Sequence, residues 1–154
     1  MNVWQKITQL LWIVFSCTAL LMTACSGNPE KQDALALGKT LQQLGYGEKL
    51  QQEFRQKLQT AKTQEEAKTI LAEYLPLFEK TPQEIRSLKM KSEEGKKLQS
   101  EIADGYEKVS SIIKKMLRMN LNDQAALMEI DKENAEAQMQ LKKIIDRIAE
   151  LSGK

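Results

Sequence analysis

Residues 122–151 read NDQAALMEIDKENAEAQMQLKKIIDRIAEL, and this stretch decides the fold class. Its apolar side chains recur at spacings that alternate between three and four residues, which places them on one face of an α-helix. The positions on that face are Leu127, Ile130, Asn134, Ala137, Leu141, Ile144, Ile148 and Leu151, and all but Asn134 are apolar. A stripe of this kind needs a partner helix to cover it. The stretch therefore predicts an all-α protein of packed helices.

The preceding segment predicts that partner. Thr81-Pro82-Gln83-Glu84 supplies a capping threonine, a proline at the first helical position and a glutamate that closes a capping box. The core positions that follow keep one heptad phase, with Ile85, Ser92, Gln99, Tyr106 and Ile113 alternating with Leu88, Gly95, Ile102, Val109 and Met116. Residues 120–123 read as a turn. We therefore expect a long antiparallel helical hairpin with arms at about 82–119 and 122–151.

Shorter helices are predicted before the hairpin, over residues 33–44, 48–61 and 63–75. The glycines around Tyr46 are expected to end the first helix. A Thr63–Glu66 capping box begins the third, and Pro76 is expected to stop it. We expect these helices to pack along the hairpin in a small, coiled-coil-like bundle.

The amino-acid composition argues against several classes of function. The 154 residues carry 23 Lys and Arg against 21 Asp and Glu, a net charge of +2, which argues against a strongly basic nucleic-acid-binding protein. No histidine is present, so Ser-His-Asp catalysis, Cys-His catalysis and His-ligated metal sites are excluded. Glu93, Glu94, Glu129, Glu133 and Glu136 fall mostly outside the apolar stripes and are interpreted as solvated. We predict no enzymatic activity, no metal, no cofactor and no nucleic-acid partner.

The N-terminus differs from the rest of the chain. Lys6 precedes an uncharged apolar run from Ile7 to Ala24, the arrangement of a secretory signal peptide. The run ends in Leu21-Met22-Thr23-Ala24-Cys25, which resembles the lipobox of bacterial lipoproteins. The resemblance implies that the peptide is cut before Cys25 and that this cysteine carries the lipid, with palmitate among its acyl chains. The alternative is an uncleaved N-terminal membrane helix.

The resemblance also implies an organisation and an address. Residues 1–24 would be the signal peptide, 25–32 the lipidated cysteine with a polar tether, and 33–154 a single helical domain. Ser26 follows the cysteine where aspartate tends to retain lipoproteins in the inner membrane. The protein is thus expected in the cell envelope, anchored in the inner leaflet of the outer membrane and facing the periplasm.

Six further residues in the helical domain are candidates for specific roles. Met119, Leu121 and Met128 lie around the hairpin turn and off the heptad stripe, so they are candidates for a partner-binding surface, the alternative being that they fill the core under the turn. Asn134 at a core position is expected to fix helix register. Glycines inside the first hairpin arm, Gly95 and Gly105, indicate either close helix approach or a hinge.

Three function classes remain. The first is a lipid-anchored envelope lipoprotein whose helical body is an interaction, scaffold, pilotin-like or chaperone-like module that binds another envelope protein. The second is a binder of an apolar ligand or lipid in a cleft between helices. The third, an enzyme, is the weakest because no nucleophile has a visible base and no cofactor motif occurs. We predict the first class.

Overall fold

The structure, a computed structural model, describes residues 27–153 and contains five helices in that range. They are α1 (Pro29–Gln43), α2 (Glu48–Thr60), α3 (Gln64–Arg86), α4 (Glu93–Arg118) and α5 (Gln124–Ser152). No strand occurs among the described residues. The all-α prediction is confirmed, and the helices pack around a shared core.

The helices form a bundle of four antiparallel arms, the first of which is broken into α1 and α2. Lys114 of α4 pairs with Glu79 of α3 at 2.6 Å, and Arg86, later in α3, pairs with Asp104, earlier in α4, at 2.7 Å, so these two arms are antiparallel. Lys115, near the end of α4, pairs with Glu133 in the first half of α5 at 2.6 Å. Glu94, at the start of α4, pairs with Arg147 near the end of α5. These two arms are therefore also antiparallel. The chain therefore runs up, down, up and down.

This topology gives the bundle two distinct ends. The proximal end, as we call it, holds the start of α1, the α3–α4 loop and the end of α5, and comprises residues 28–33, 87–95 and 147–153. The distal end holds the α2–α3 and α4–α5 connections, residues 60–64 and 119–124. The Gln64 side chain joins these two connections by accepting from the Leu121 amide at 2.6 Å.

The predicted hairpin boundaries are wrong in the first arm. Helix α3 continues through Pro76 and Pro82 to Arg86, and α4 begins only at Glu93, so the arms are 93–118 and 124–152. Pro76 lies on an exposed part of α3, where water can reach a carbonyl that lacks its amide partner. Thr81 is not a cap: its hydroxyl donates to the Leu77 carbonyl at 2.7 Å and also hydrogen-bonds the Tyr46 hydroxyl.

The polar middle of the predicted heptad stripe marks the break between α3 and α4. Ser92 caps α4, its hydroxyl accepting from the Gly95 amide at 2.9 Å. Gln99 caps α3 instead of packing in the core, because its side-chain amide donates to the carbonyls of Ile85 and Leu88 at 2.8 and 2.7 Å. The remaining predicted core positions on α4 are buried, namely Gly95, Ile102, Tyr106, Val109, Ile113 and Met116.

The stripe on α5 is confirmed. The seven positions Leu127, Ile130, Asn134, Ala137, Leu141, Ile144 and Ile148 are buried. They pack against α4 and, toward the proximal end, against α1. The eighth position, Leu151, is partly buried against the same core.

Helix α1 begins four residues earlier than predicted. The Asn28 side chain accepts from the Glu30 amide at 2.9 Å, and Pro29 occupies the first helical position. Residues 29–32, predicted as part of an extended tether, are therefore the first turn of the helix. Only residues 26–28 separate Cys25 from the bundle.

The hydroxyl of Thr81 tests whether α3 is continuous. We expect Thr81→Val to destabilise the protein by about 1–3 kcal/mol, because a buried methyl group would then face the Leu77 carbonyl and the Tyr46 hydroxyl. Thr69→Val is the matched control, since the Thr69 hydroxyl makes the same backbone contact at 2.9 Å but is exposed. Urea unfolding followed by circular dichroism measures both. Equal effects of the two changes would contradict the buried role of Thr81.

Candidate functional site

A buried carboxylate joins the start of α1 to the start of α4 at the proximal end. Asp33 is only 3% exposed. Its Oδ2 accepts from the Ser92 amide at 2.8 Å, the Ser92 hydroxyl at 2.7 Å and the Lys91 amide at 2.9 Å. The first amides of a helix carry partial positive charge, so this position favours an anion. The arrangement therefore fastens α1 to the α3–α4 loop.

The environment of Asp33 keeps it ionised. Burial alone raises the pKa of this carboxyl, but the hydrogen bonds from the Ser92 side chain and from the backbone amides of Lys91 and Ser92 lower it more, together with the charge of Lys91. The net result is a pKa below its ordinary value of 3.8. The group is thus a structural anion.

The two helical glycines mark close contacts between helices. A Cβ atom added at Gly95 would lie 2.6 Å from Cβ and Cγ of Asp33. One added at Gly105 would lie 2.5 Å from Cδ2 of Leu141 on α5. Of the two alternatives, close approach accounts for both residues.

The predicted surface at the α4–α5 turn does not exist as a unit. Leu121 is 1% exposed and belongs to the core, and Met119 is partly buried against it. Only Met128, at 68% exposed, has the exposure that a binding surface requires. Leu121 is drawn inward because its amide donates to Gln64, which closes the distal end over its side chain. The expected exposure is therefore wrong for Leu121 and correct for Met128, and partner binding stays a prediction.

The outer face of α5 carries the exposed apolar side chains instead. Among the residues that the structure describes, the strongly exposed large hydrophobic side chains are Met128 and Met139, the latter 59% exposed. They are 11 positions apart, which is close to three helical turns, so they lie on one line about 16 Å long. Ala135 is exposed between them. We define the outer face of α5 as this line: Met128, Lys132, Ala135, Met139, Lys142 and Asp146.

Met139 is not among the surface residues predicted from the sequence. Helical periodicity predicts its exposure. Met128, Ala135 and Met139 are at positions i, i+7 and i+11, which share one face of a helix, and this face is opposite the buried stripe. Lys142 and Asp146 pair with each other at 2.5 Å at the proximal limit of the line. Lys132 lies exposed beside Met128.

Asn134 is buried, as its heptad position predicted. It is 3% exposed, and its Oδ1 has no hydrogen-bond partner among residues 27–153. A buried amide without its full set of hydrogen-bond partners lowers stability. A core asparagine that specifies helix register usually carries such a cost in stability. Its role in register stays a prediction.

Two open clefts beside α4 are lined mainly by polar and charged residues. One between α3 and α4 has a volume of about 420 Å³ and is lined by Glu79, Gln83, Glu107 and Lys114, with two serines and Pro82. A second, between α4 and α5 beside Gly105, measures about 390 Å³ and is lined mainly by charged side chains. Neither has the apolar lining that a lipid or other apolar ligand needs.

Residues 27–153 contain neither a candidate metal cluster nor a candidate membrane-spanning helix. No group of three or more cysteine, aspartate or glutamate side chains there could hold a metal ion. Within the same range, no helix combines the length and apolar character needed to cross a membrane.

Comparison with known proteins identifies the family. Residues 31–153, which include nearly the whole helical bundle, match the family described as uncharacterised lipoprotein PM1805. The chain belongs to this lipoprotein family. No curated protein and no solved structure matches the chain. Because the matched residues exclude the lipobox, the family and the lipobox support the same assignment from separate parts of the sequence.

The bacterial lipoprotein prediction is thus confirmed, and with it association with the cell envelope. The predicted signal peptide over residues 1–24 and the predicted lipid attachment at Cys25 lie outside the described residues and stay predictions.

The Asp33 contact predicts a specific pH dependence. The folded-state pKa is depressed, so the stabilisation by this group is present above its unfolded pKa and is lost as the pH falls through the folded value. We expect Asp33→Asn to cost about 1.5–3 kcal/mol at pH 7, because an amide oxygen replaces a charged acceptor at a buried site. The difference between wild type and variant should shrink below about pH 4.

Asp123→Asn is the matched control for that experiment. Asp123 also caps a helix, accepting from the Ala125 and Ala126 amides, but it is exposed, and asparagine caps equally well. Chemical denaturation between pH 2.5 and 7 measures both variants. A loss in Asp33→Asn that is small, or that does not change with pH, would contradict the role of the buried charge.

Proposed function

We propose that this lipoprotein is held in the inner leaflet of the outer membrane by Cys25 and binds another envelope protein through the outer face of α5. The lipobox and Ser26 support the anchor and its location. The proposed role is non-catalytic, in keeping with a chain that has no histidine. The partner-binding surface is carried by one observation, the alignment of Met128 and Met139 on a single exposed line.

The chemistry of that line suits a protein partner. Methionine is flexible and polarizable, so surfaces that contain it adapt to apolar side chains of varied shape. Ala135 lies between the two methionines, and a small side chain there allows a partner helix to approach closely. Lys132 adds a positive charge beside Met128, which favours a partner whose apolar strip is flanked by carboxylates.

The position of the line in the bundle also fits this role. Helix α5 has 29 residues and is about 43 Å long, with its C-terminus at the proximal end, where the tether begins. Met139 lies near the middle of the helix and Met128 near the distal end. A partner bound along this line would be held beside the body and away from the membrane surface.

The alternative function, an apolar ligand between helices, gains no support from the described clefts, because charged side chains line them. The filled core and the exposed methionine line fit an interaction or scaffold role better than an apolar-ligand role. Pilotin-like and chaperone-like functions are variants of that interaction role.

The anchor is tested at the cysteine. We expect Cys25→Ser to abolish palmitate labelling and to move the protein from the membrane fraction, because the thiol is the attachment point that the lipobox implies. Thr23→Ser, which keeps a small residue before the cysteine, should leave both unchanged. Labelling that persists in Cys25→Ser would rule out this anchor.

The binding line is tested by photo-crosslinking. A photoreactive amino acid placed at Ala135 in the full chain should give a discrete crosslinked species in intact cells. The same residue placed at Ser100, which is exposed on α4, should not. Met128→Glu combined with Met139→Glu should remove the crosslink from Ala135 and leave the unfolding midpoint nearly unchanged, since both side chains are exposed.

Gln56→Glu combined with Ser100→Glu adds the same charge at exposed positions on other helices and should keep the crosslink. If no species forms at Ala135, or if the methionine variants do not reduce it, α5 is not the binding surface.

A further inference from the structure

The methionines of the bundle fall into two groups by exposure. Met128 and Met139, on the outer face of α5, are 68% and 59% exposed. Met116 is 0% exposed, and Met90 and Met119 are partly buried against the core. An oxidant must contact the thioether sulfur to react with it. A dissolved oxidant therefore reaches the sulfur atoms of the outer face before those of the core.

Few other side chains in the described range compete for such an oxidant. Residues 27–153 contain no cysteine, no tryptophan and no histidine. Methionine is a common site of oxidative modification, and the product is methionine sulfoxide. Oxidation of this part of the chain is therefore expected to concentrate on the exposed thioethers.

The neighbours of the two exposed methionines leave their sulfur atoms open to solvent. Ala125 is three positions before Met128, Ala135 is four positions before Met139, and both alanines are exposed. Long side chains on a helix extend toward the preceding turn. A methyl group on that turn is too short to cover a thioether.

We propose that Met128 and Met139 form a reversible oxidation site that ends partner binding along the outer face of α5. The inference rests on the binding role of this face in the proposed function. The oxidant is a peroxide. With hydrogen peroxide, the sulfur lone pair attacks one oxygen, the O–O bond breaks, an S–O bond forms and water leaves, so sulfur is oxidised and the peroxide is reduced. A dithiol reductase reverses the step, because the sulfoxide oxygen leaves as water while two thiols join in a disulfide.

Oxidation at these positions affects binding and spares the fold. A sulfoxide is polar, whereas the thioether is apolar. On the free outer face, water hydrates the new oxygen and folding loses nothing. Against an apolar partner, the same oxygen would lose its hydration without gaining a hydrogen bond, which is unfavourable. At the buried Met116 a sulfoxide would disrupt the core, so the site depends on the difference in exposure.

The selectivity of oxidation is measured on the purified lipoprotein. We expect hydrogen peroxide to add one oxygen at Met128 and at Met139 at least about tenfold faster than at Met116, as followed by mass spectrometry of proteolytic peptides. In urea that unfolds the chain, the three rates should converge. The unfolding midpoint should be nearly unchanged once both exposed methionines are oxidised. Equal rates at exposed and buried methionines in the folded protein would overturn the proposal.

The effect on binding is measured with the photoreactive residue at Ala135 in intact cells. Brief treatment with hydrogen peroxide should reduce the crosslink at least about fivefold. Met128→Leu combined with Met139→Leu keeps the apolar volume but removes both oxidisable sulfur atoms, so its crosslink should persist with and without peroxide. The partner meets the same peroxide in both strains, so the comparison assigns the effect to these two thioethers.

Met90→Leu combined with Met119→Leu is the matched control, and its crosslink should remain sensitive to peroxide. A crosslink that survives in the wild type although both exposed methionines are oxidised refutes the regulation alone. Loss of the crosslink from the Met128→Leu, Met139→Leu variant under peroxide refutes it as well. If no crosslink forms at Ala135 before any oxidation, the binding role of the outer face and its regulation are refuted together.

Discussion

The structure depends on a buried charge where the start of α1 meets the start of α4. Asp33 is removed from water, and a buried carboxylate is costly unless hydrogen bonds replace its hydration. Three donors from Lys91 and Ser92 do so, at the helix end where the macrodipole favours an anion. This requirement fixes where α1 begins relative to α4. It also demands glycine at position 95, because any side chain there would occupy the space of the carboxylate.

The sequence predicted the parts of the fold that local periodicity controls. The stripe on α5 is correct because each of its residues packs on the same neighbouring helices over seven turns. The boundaries of α3 and α4 were wrong because they depend on distant partners. Ser92 is a cap whose orientation is held by Asp33, 59 positions away, and Thr81 is held by Tyr46, 35 positions away. No local pattern shows such contacts. The start of α1, in contrast, is indicated locally by Asn28-Pro29-Glu30, a capping residue followed by a proline. The prediction of a tether over these residues is wrong because it does not include this cap.

The candidate surface residues show the same difference between positions set by helical periodicity and positions set by distant contacts. Met128 lies on a regular helix, where its position off the buried stripe correctly indicates exposure, and the same rule applied to Met139 would have found the other half of the line. Leu121 lies in a turn, where helical periodicity does not apply and the Gln64 contact decides burial. Cys25 is different again, since its role is indicated by a processing signal and not by packing.

Because the bundle has an even number of arms, both ends of the described chain lie at the proximal end. A chain that runs up, down, up and down returns its last helix to the end at which it started, so the C-terminus of α5 lies beside the first turn of α1. With the anchor proposed at Cys25, a tether of three residues would hold both close to the membrane surface. In that arrangement the outer face of α5 lies along the side of the bundle, between the proximal and the distal end. A long tether would let the body search a wide volume in any orientation. A short one restricts its reach and fixes which side it presents, which suits a partner that is itself held at the same membrane.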